Sequence, residues 1–351
     1  MHTKAATNSM SGHAGEDIME ARRFKLLRAT TVALALAWAG GAAAQDTAVR
    51  IVVGFSPGGG FDAYARLFAR HFGRHLPGQP NVIVQNMPGS SSLKAVQYLD
   101  QGAPRDGNYI TAFNPGLMTN SLLEPDKVSY NFANLSWIGS ITQDFRVCYA
   151  WNERNVRSWD DLLRSQRFVM GTTSIGSSAY QNAAVLKTLF GVKIHHVLGY
   201  PGSAEERIAI ERGELDGGCG AWASNPPDWI INRKITPLVT FTKPENADPS
   251  VKAPFILDLA KSPEDRALLE ILTAADLLGR PYVASRAIPA ARLDTLRKAF
   301  DSTMGDKEFL AESELRQLPV AAIGGTQAQS VVEALYKASP TLIAKAREAV
   351  K

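Results

Sequence analysis

Between Val49 and Phe72 the chain reads as a strand, a glycine-rich turn and a helix start, and this succession narrows the possible folds more than any other stretch. Val49, Ile51, Val52 and Val53 make an apolar run of strand length. Ser56, Pro57, Gly58, Gly59, Gly60, Phe61 and Asp62 supply a tight polar turn. Phe61, Ala65, Phe68, Phe72 and Leu76 then recur at three- and four-residue steps, which predicts an amphipathic helix. A bare-backbone turn feeding a helix offers main-chain N–H groups and the positive end of a helix dipole to an anion. Asp62, at the helix start, reads as a residue that favours this dipole.

The alternation continues. Val82 to Val84 is a second strand ending at Asn86-Met87-Pro88-Gly89-Ser90-Ser91-Ser92, with a helix from Lys94, and Tyr109 to Phe113 is a third strand. A second block runs from about Val147 to Ile231. In it Phe168 to Met170, Ile194 to Leu198 and Leu215 to Ala221 are strands, with helices over Ala179 to Phe190 and from Ser203 to Arg212. The tail from Pro289 reads as helical. Strands alternating with helices predict an α/β fold with parallel sheets and crossover helices. Ligands of such sheets bind at the carboxyl ends of the strands, where the polar turns lie.

Four of these turns share one chemistry: Ser56 to Phe61, Pro88 to Ser92, Thr172 to Ser178 and Tyr200 to Ser203. Each follows a strand and precedes a helix, each is rich in Gly and Ser or Thr, and none contains Lys, Arg or His. Singly, each is a helix cap with a glycine for backbone freedom. Together they predict a site that holds a carboxylate through hydroxyls and main-chain donors, without formal positive charge.

A leader precedes the first strand. Arg22, Arg23, Lys25 and Arg28 form a basic segment, Thr31 to Ala39 is apolar, and Ala42-Ala43-Ala44 is a small-residue cleavage site before Gln45. The leader is therefore read over residues 1–44, with translation from Met19 giving it ordinary length. Sec-type export to the periplasm is expected, because Arg22-Arg23-Phe24 is a poor twin-arginine match. The formal charge of +4 falls to near +2 once the leader is removed, and the charges are scattered. No basic stripe suggests nucleic-acid binding. Cys148 and Cys219 are the only two cysteines; an oxidising compartment permits a bridge between them, and two buried thiols remain the alternative.

At these residues the chain resembles a family. Pro57-Gly58-Gly59-Gly60-Phe61-Asp62 with Ala65-Arg66 resembles the first-turn signature of the Bug-type receptors, the solute-binding proteins of tripartite tricarboxylate transporters. Asn86-Met87-Pro88-Gly89 resembles their Asn-x-Pro-Gly turn, and Pro104-Arg105-Asp106-Gly107 their Pro-x-Asp-Gly turn. Tyr200-Pro201-Gly202-Ser203 with Gly213-Glu214-Leu215-Asp216-Gly217 resembles their second-domain pattern. The chain departs at Gly89-Ser90-Ser91-Ser92, where the family often has Gly-Ala-Gly-Gly, and at Pro201, where it often has Lys.

The resemblance implies a type II periplasmic-binding-protein fold, two α/β lobes with a ligand cleft between them. Residues 46–146 and 235–351 would form lobe I and residues 147–234 lobe II, with Cys148 and Cys219 on neighbouring antiparallel strands. It implies a non-enzymatic, monomeric receptor that hands a small organic acid to membrane permease subunits, with no cofactor, metal or nucleic acid. The matching ligand-binding positions are Ser56, Gly59, Phe61, Ser90, Ser91, Thr173, Ser174, Ser177 and Ser178. Trp222 follows a strand and is expected either to face the cleft and stack on an aromatic ligand or to pack on Pro226 and Pro227; Phe61 and Phe113 pose the same choice.

Two other function classes compete with this one. Gly54-Phe55-Ser56-Pro57-Gly58 has the spacing of an esterase nucleophile elbow, but that chemistry needs the N–H of the residue after the serine, and Pro57 has none. His195-His196 is a poor metal pair because adjacent strand residues face opposite sides. An exported interaction protein without a small ligand is the third class.

Overall fold

A computed structural model describes Met1, residues 48–242 and residues 251–350. The leader, its Met19 start and its cleavage site lie outside the described residues. From Ala48 onward the chain forms one compact unit. Its first block comprises β1 (Val49–Val53), α1 (Gly60–Phe72), β2 (Val82–Asn86), α2 (Leu93–Gln101), β3 (Tyr109–Ala112), α3 (Gly116–Leu123) and β4 (Ser136–Ser140). The second comprises β5 (Arg146–Trp151), α4 (Trp159–Arg164), β6 (Phe168–Thr172), α5 (Ser178–Phe190), β7 (Ile194–Leu198), α6 (Ser203–Glu211), β8 (Gly217–Ala221), α7 (Pro227–Ile231) and β9 (Ile235–Thr240). The chain then returns through α8 (Pro263–Thr273), β10 (Pro281–Ala284), α9 (Ala290–Met304), α10 (Lys307–Leu315), β11 (Ile323–Gly324), α11 (Gly325–Leu335) and α12 (Pro340–Ala349). Among the described residues no helix is long and apolar enough to cross a membrane.

Two sheets result, with strand orders β11-β4-β10-β3-β1-β2 and β7-β6-β8-β5-β9. The parallel pairs read from the alternation are present: β1 lies between β2 and β3, and β6 pairs with β7 and β8. Both sheets are nevertheless mixed. β10 runs antiparallel to β3 and β4, and β5 runs antiparallel to β8 and β9. The antiparallel pairing of β5 and β8 is the one the resemblance implied for Cys148 and Cys219, and the parallel pattern of the alternation gives way here because β5 and β10 enter their sheets from the far lobe instead of through a local crossover helix. The strand Ile235–Thr240, expected in lobe I, is an edge strand of the second sheet beside β5. The helical tail is likewise interrupted by β11.

Burial follows the pattern that predicted the elements. β1 is buried along nearly its whole length, and α1 buries Tyr64, Ala65, Leu67, Phe68 and Phe72 on one face. Phe68 stacks on Phe72 at 4.4 Å and meets Tyr282 of β10 at 4.8 Å, which ties the first turn to a strand more than 200 residues later. Phe113 lies in the core against Phe132 and Trp137 and so has no cleft role. Cys148 and Cys219 face each other across β5 and β8 and form a disulfide.

The chain crosses between the sheets at 141–145 and again ahead of β10. The two crossings are zipped together by backbone bonds: Ile141 N to Arg280 O at 3.1 Å, Gly279 N to Thr142 O at 3.0 Å, and Asp144 N to Asp276 O at 3.1 Å. Buried charges cover this zipper. Arg280 Nη1 donates to both Asp144 oxygens at 2.7 and 2.8 Å, Arg146 Nη2 donates to Asp144 Oδ2 at 2.8 Å, and Arg146 Nε lies 2.5 Å from Asp276 Oδ1. Arg280 is 2% exposed and Asp144 3%.

Removing one member of a buried ion cluster strands the others without water. Asp144→Ala is therefore expected to lower the unfolding free energy by about 3–5 kcal/mol in urea titrations. A loss below about 1 kcal/mol would show that water or rearrangement replaces Asp144 at little cost. Reducing the disulfide, or replacing both cysteines by serine, is expected to cost about 2–4 kcal/mol in the same assay.

Candidate functional site

The four polar turns meet where the two lobes touch. They line two adjoining hollows, which share Phe55 and Thr173. The inner one is a cavity of about 80 Å³ bounded by Gly59, Gly60 and Phe61 of the first turn, Thr173 and Ser177 of the third, and Ser203 at the start of α6. The outer one, about 330 Å³, runs past Pro88, Gly89, Ser90 and Ser91 to Tyr200 and Pro201.

Local sequence explains this convergence. Asp62 caps its own turn by accepting from Gly58 N at 2.9 Å, and it accepts from Arg66 Nε and Asn86 Nδ2, each at 2.9 Å. Asn86 Nδ2 also donates to Phe55 O at 2.9 Å. Asp62, Arg66 and Asn86, drawn from two separate sequence motifs, thus lock the first and second turns together. Burial acts to raise the Asp62 carboxyl, but the hydrogen bonds from Arg66, Gly58 and Asn86 outweigh it and hold the group below the usual carboxylate range. Asp62 is therefore structural, as its helix-start position suggested.

The second turn is unusual. Ser90, Ser91 and Ser92 have φ of +46°, +51° and +80°, a left-handed run that disfavours side chains. Gly54 makes room for it, since a Cβ there would lie 2.0 Å from Ser92 Cβ. The serine hydroxyls are put to use. Ser91 Oγ lies 2.5 Å from Thr173 Oγ1 and 2.6 Å from Ser174 Oγ, and Asn114 N donates to Ser92 Oγ at 2.8 Å.

Further bonds fasten one lobe to the other. Ser56 Oγ donates to Glu205 Oε2 at 2.8 Å, Arg207 Nη2 to Gly58 O at 2.9 Å, and Ser178 Oγ to Asn114 Oδ1 at 3.0 Å. The lobes are thus closed on one another. Ser177 caps α5 by accepting from Tyr180 N at 3.1 Å while lining the cavity.

The expected residues therefore divide. Gly59, Phe61, Thr173 and Ser177 line the inner cavity, and Ser90 and Ser91 line the outer hollow with Thr173. Ser56, Ser174 and Ser178 spend their hydroxyls on contacts between the lobes or within their own turn. Trp222 does not reach either hollow. It begins a 3₁₀ turn after β8, packs edge-on against Tyr149 at 6.4 Å, and lines a separate hollow of about 700 Å³ beside Ile231, Leu310 and Leu318.

The expectation of a site without charge also needs correction. Arg146 and Arg280 line the inner cavity, with Asp144 and Glu206. Arg280 lies over the Phe61 ring at 4.4 Å and donates through Nη2 to Ser224 Oγ at 2.9 Å. Burial pushes Glu206 up to about 8 against the pull of Arg207, and pushes Asp276 up to about 7 against that of Arg146. Two guanidiniums thus share Asp144 while both other acids are driven toward their neutral forms. Of the four charged groups that line the cavity two are arginines and two are acids, so the wall is formally balanced and turns net positive when Glu206 holds a proton. No turn pattern could have revealed these arginines, because they come from the crossing strands.

Ser56 has Glu205 as its partner, where a nucleophile elbow would need histidine. His71 is bound by Glu312 of α10 at 2.7 Å, and His75 by Asp306, which caps that helix, at 2.8 Å. His71, Asp306 and Glu308 form the one metal-like group among the described residues, and Arg74 already pairs with Asp306 and Glu308 there. His195 is exposed, whereas the His196 ring packs on Tyr180 at 4.5 Å, as opposite strand faces require.

No protein-family model and no curated protein matches the chain. Solved structures do. MatC (Rpa3494) from Rhodopseudomonas palustris, with bound malate, superposes with a TM-score of 0.67 at 18% identity, covering 87% of this chain and 99% of that one. The periplasmic binding protein BugD gives 0.67 at 18% identity, covering 86% and 97%. Rpa4515 from R. palustris, with adipate, gives 0.65 at 22% identity, covering 85% and 96%. The chain has the two-lobed fold of these periplasmic solute-binding proteins, the group its turn motifs resemble.

Proposed function

We propose that this chain is an exported, non-enzymatic receptor that captures a small organic acid between its lobes and delivers it to membrane permease subunits of the tripartite tricarboxylate type. The carrying observation is the inner cavity, where two guanidiniums and oriented dipoles meet. The N-termini of α1 and α5 and the start of α6 border it, and Arg146 and Arg280 line it. Partial burial between the lobes strengthens each polar contact with an anion. At about 80 Å³ the closed cavity is well below the roughly 300 Å³ at which pockets for drug-sized ligands begin, which favours a ligand of few heavy atoms. The malate and adipate bound by two fold neighbours support the same chemical class. The disulfide supports an oxidising compartment, and with the leader it supports the periplasm.

The proposed division is a lobe I of residues 46–146 and 235–351 and a lobe II of residues 147–234, with the strand Ile235–Thr240 carried on the lobe II sheet. Ligand would enter when the bonds between lobes open and be sealed when they re-form. The receptor would act as a monomer, and Ser56, Gly59, Phe61, Ser90, Ser91, Thr173, Ser174, Ser177 and Ser178 would shape or latch its site.

A thermal-shift screen against malate, adipate, citrate, benzoate and glutamate tests this reading. An acid present at 100-fold its dissociation constant should stabilise the chain by roughly 2.7 kcal/mol. Gly60→Ala should weaken that response at least tenfold. Its Cβ would lie 2.1 Å from Ser224 Oγ and 3.2 Å from Arg280 Nη2, displacing both from the cavity wall. A response confined to nucleotides or neutral sugars would defeat the carboxylate assignment.

A further inference from the structure

Two acidic side chains line the inner cavity, and they differ in one respect. Asp144 is bound by both arginines. The Glu206 carboxyl has no hydrogen-bond partner among the described residues. Its charged neighbours are otherwise committed. On α6, Glu205 accepts from Ser56 Oγ at 2.8 Å, and Arg207 donates to Gly58 O at 2.9 Å and Ser224 O at 2.8 Å. The phenols of Tyr149 from β5 and Tyr200 from the preceding turn stand close enough to feel its charge. Across the cavity lie Arg146, Arg280 and Asp144. Burial is the largest influence on Glu206 and pushes it up to about 8.

A protonated carboxyl is a hydrogen-bond donor, and an ionised one is only an acceptor. Glu206 lines the same small cavity, about 80 Å³, as Gly59, Gly60, Thr173 and Ser177, so a small ligand held by those turns lies near its carboxyl. An ionised Glu206 would repel a ligand carboxylate, whereas a protonated one can bond to it, as buried neutral acids do in other sites. We propose that Glu206 is a specificity-determining residue of the cleft: in its protonated form it donates a hydrogen bond to the ligand's carboxylate, so that acid and proton are captured together. This inference rests on the carboxylate reading above. The opposite pairing, an ionised Glu206 holding a ligand ammonium, is disfavoured because the cavity already contains two guanidiniums.

Linkage sets the sign. Ligand binding raises the pKa of Glu206 further, so affinity is flat below the free-state value and falls as pH rises through it. The decline should be about tenfold per pH unit above about 8. Proton uptake on binding should be near zero at pH 6.5, about half a proton at pH 8 and close to one at pH 9, by the same linkage. Asp276 titrates lower and remains in any Glu206 variant, which separates the two groups.

The test is calorimetric titration of the purified chain with malate and with adipate, both fully ionised over the range, between about pH 6.5 and 9.5 in buffers of differing ionisation enthalpy. The wild-type chain should show the uptake and the decline. Glu206→Gln should weaken binding by about threefold at pH 6.5, remove the Glu206 proton uptake and level the profile above pH 8, since an amide donates at every pH. Binding by wild type without proton uptake at pH 8–9 would overturn the role of Glu206 while leaving the carboxylate reading intact, and this result needs no variant to fold. An unchanged pH profile in Glu206→Gln would do the same. A cationic amine that binds better as pH rises would replace the donor role with an acceptor role. Failure of malate, adipate and the rest of the screened acids at every pH would remove the carboxylate reading itself and this inference with it.

Discussion

Asp144 accepting from Arg146 and Arg280 at once is the interaction on which the remaining architecture turns. The three residues come from the two chain crossings between the sheets, and every turn that forms the cleft is placed relative to those crossings. Burying such a cluster costs several kcal/mol per ion in desolvation, and geometry must recover it. Here it does so through two bonds from one guanidinium nitrogen, a backbone zipper beneath, and the rings of Phe61 and Tyr64 at 4.4 and 5.1 Å from the Arg280 guanidinium. The cost is better explained by position than by stability, since apolar residues of similar volume often stabilise as well. A charged cluster at the crossings places guanidinium edges on the cavity wall, which an apolar plug would not.

The serine turn shows the same exchange between strain and contact. Each left-handed side-chain-bearing residue carries a penalty on the order of 1 kcal/mol, and three stand in succession at Ser90, Ser91 and Ser92. Glycine would remove that penalty, which accounts for the glycine-rich pattern in the family the turn resembles. What serine adds is a hydroxyl contact to the opposite lobe, from Ser91 to Thr173 and Ser174. The departure from the family pattern therefore falls on a lobe-to-lobe latch, and it bears more on closure than on ligand chemistry.

Most of the scaffold was legible in the chain because its signals are local. The β1 turn, the Asn86 turn, the Thr172 to Ser178 loop and the cap at Ser177 all announce themselves within a few residues, and all four polar turns do converge. Strands that pair across long stretches of sequence were not legible in direction, since β10 and β4 owe their partners to residues far away in the chain. The charges of the site were hidden for the same reason: Arg280 meets Asp144 across 136 residues. Glu206 sits three residues beyond a correctly placed turn, and only the closed cavity distinguishes it from an ordinary solvent-facing helix residue. Trp222 was open in the sequence between facing the cleft and packing, and the structure sets its ring edge-on against Tyr149.

Under the proposed function the chain must release what it captures, and this bears on why the arginines are already paired. Two bare guanidiniums in a dry cavity would repel each other when empty and hold an anion tightly when full. Sharing Asp144 removes most of the empty-state cost and leaves the guanidiniums only partly neutralised. The remaining recognition is then carried by amides and hydroxyls at the turns, whose geometry depends on closure through Ser91, Ser56 and Arg207. Affinity in such a design is divided between the ligand and the lobe-to-lobe bonds. Opening the latches therefore weakens the site as a whole, and release needs no separate device to pull the anion from a single strong charge.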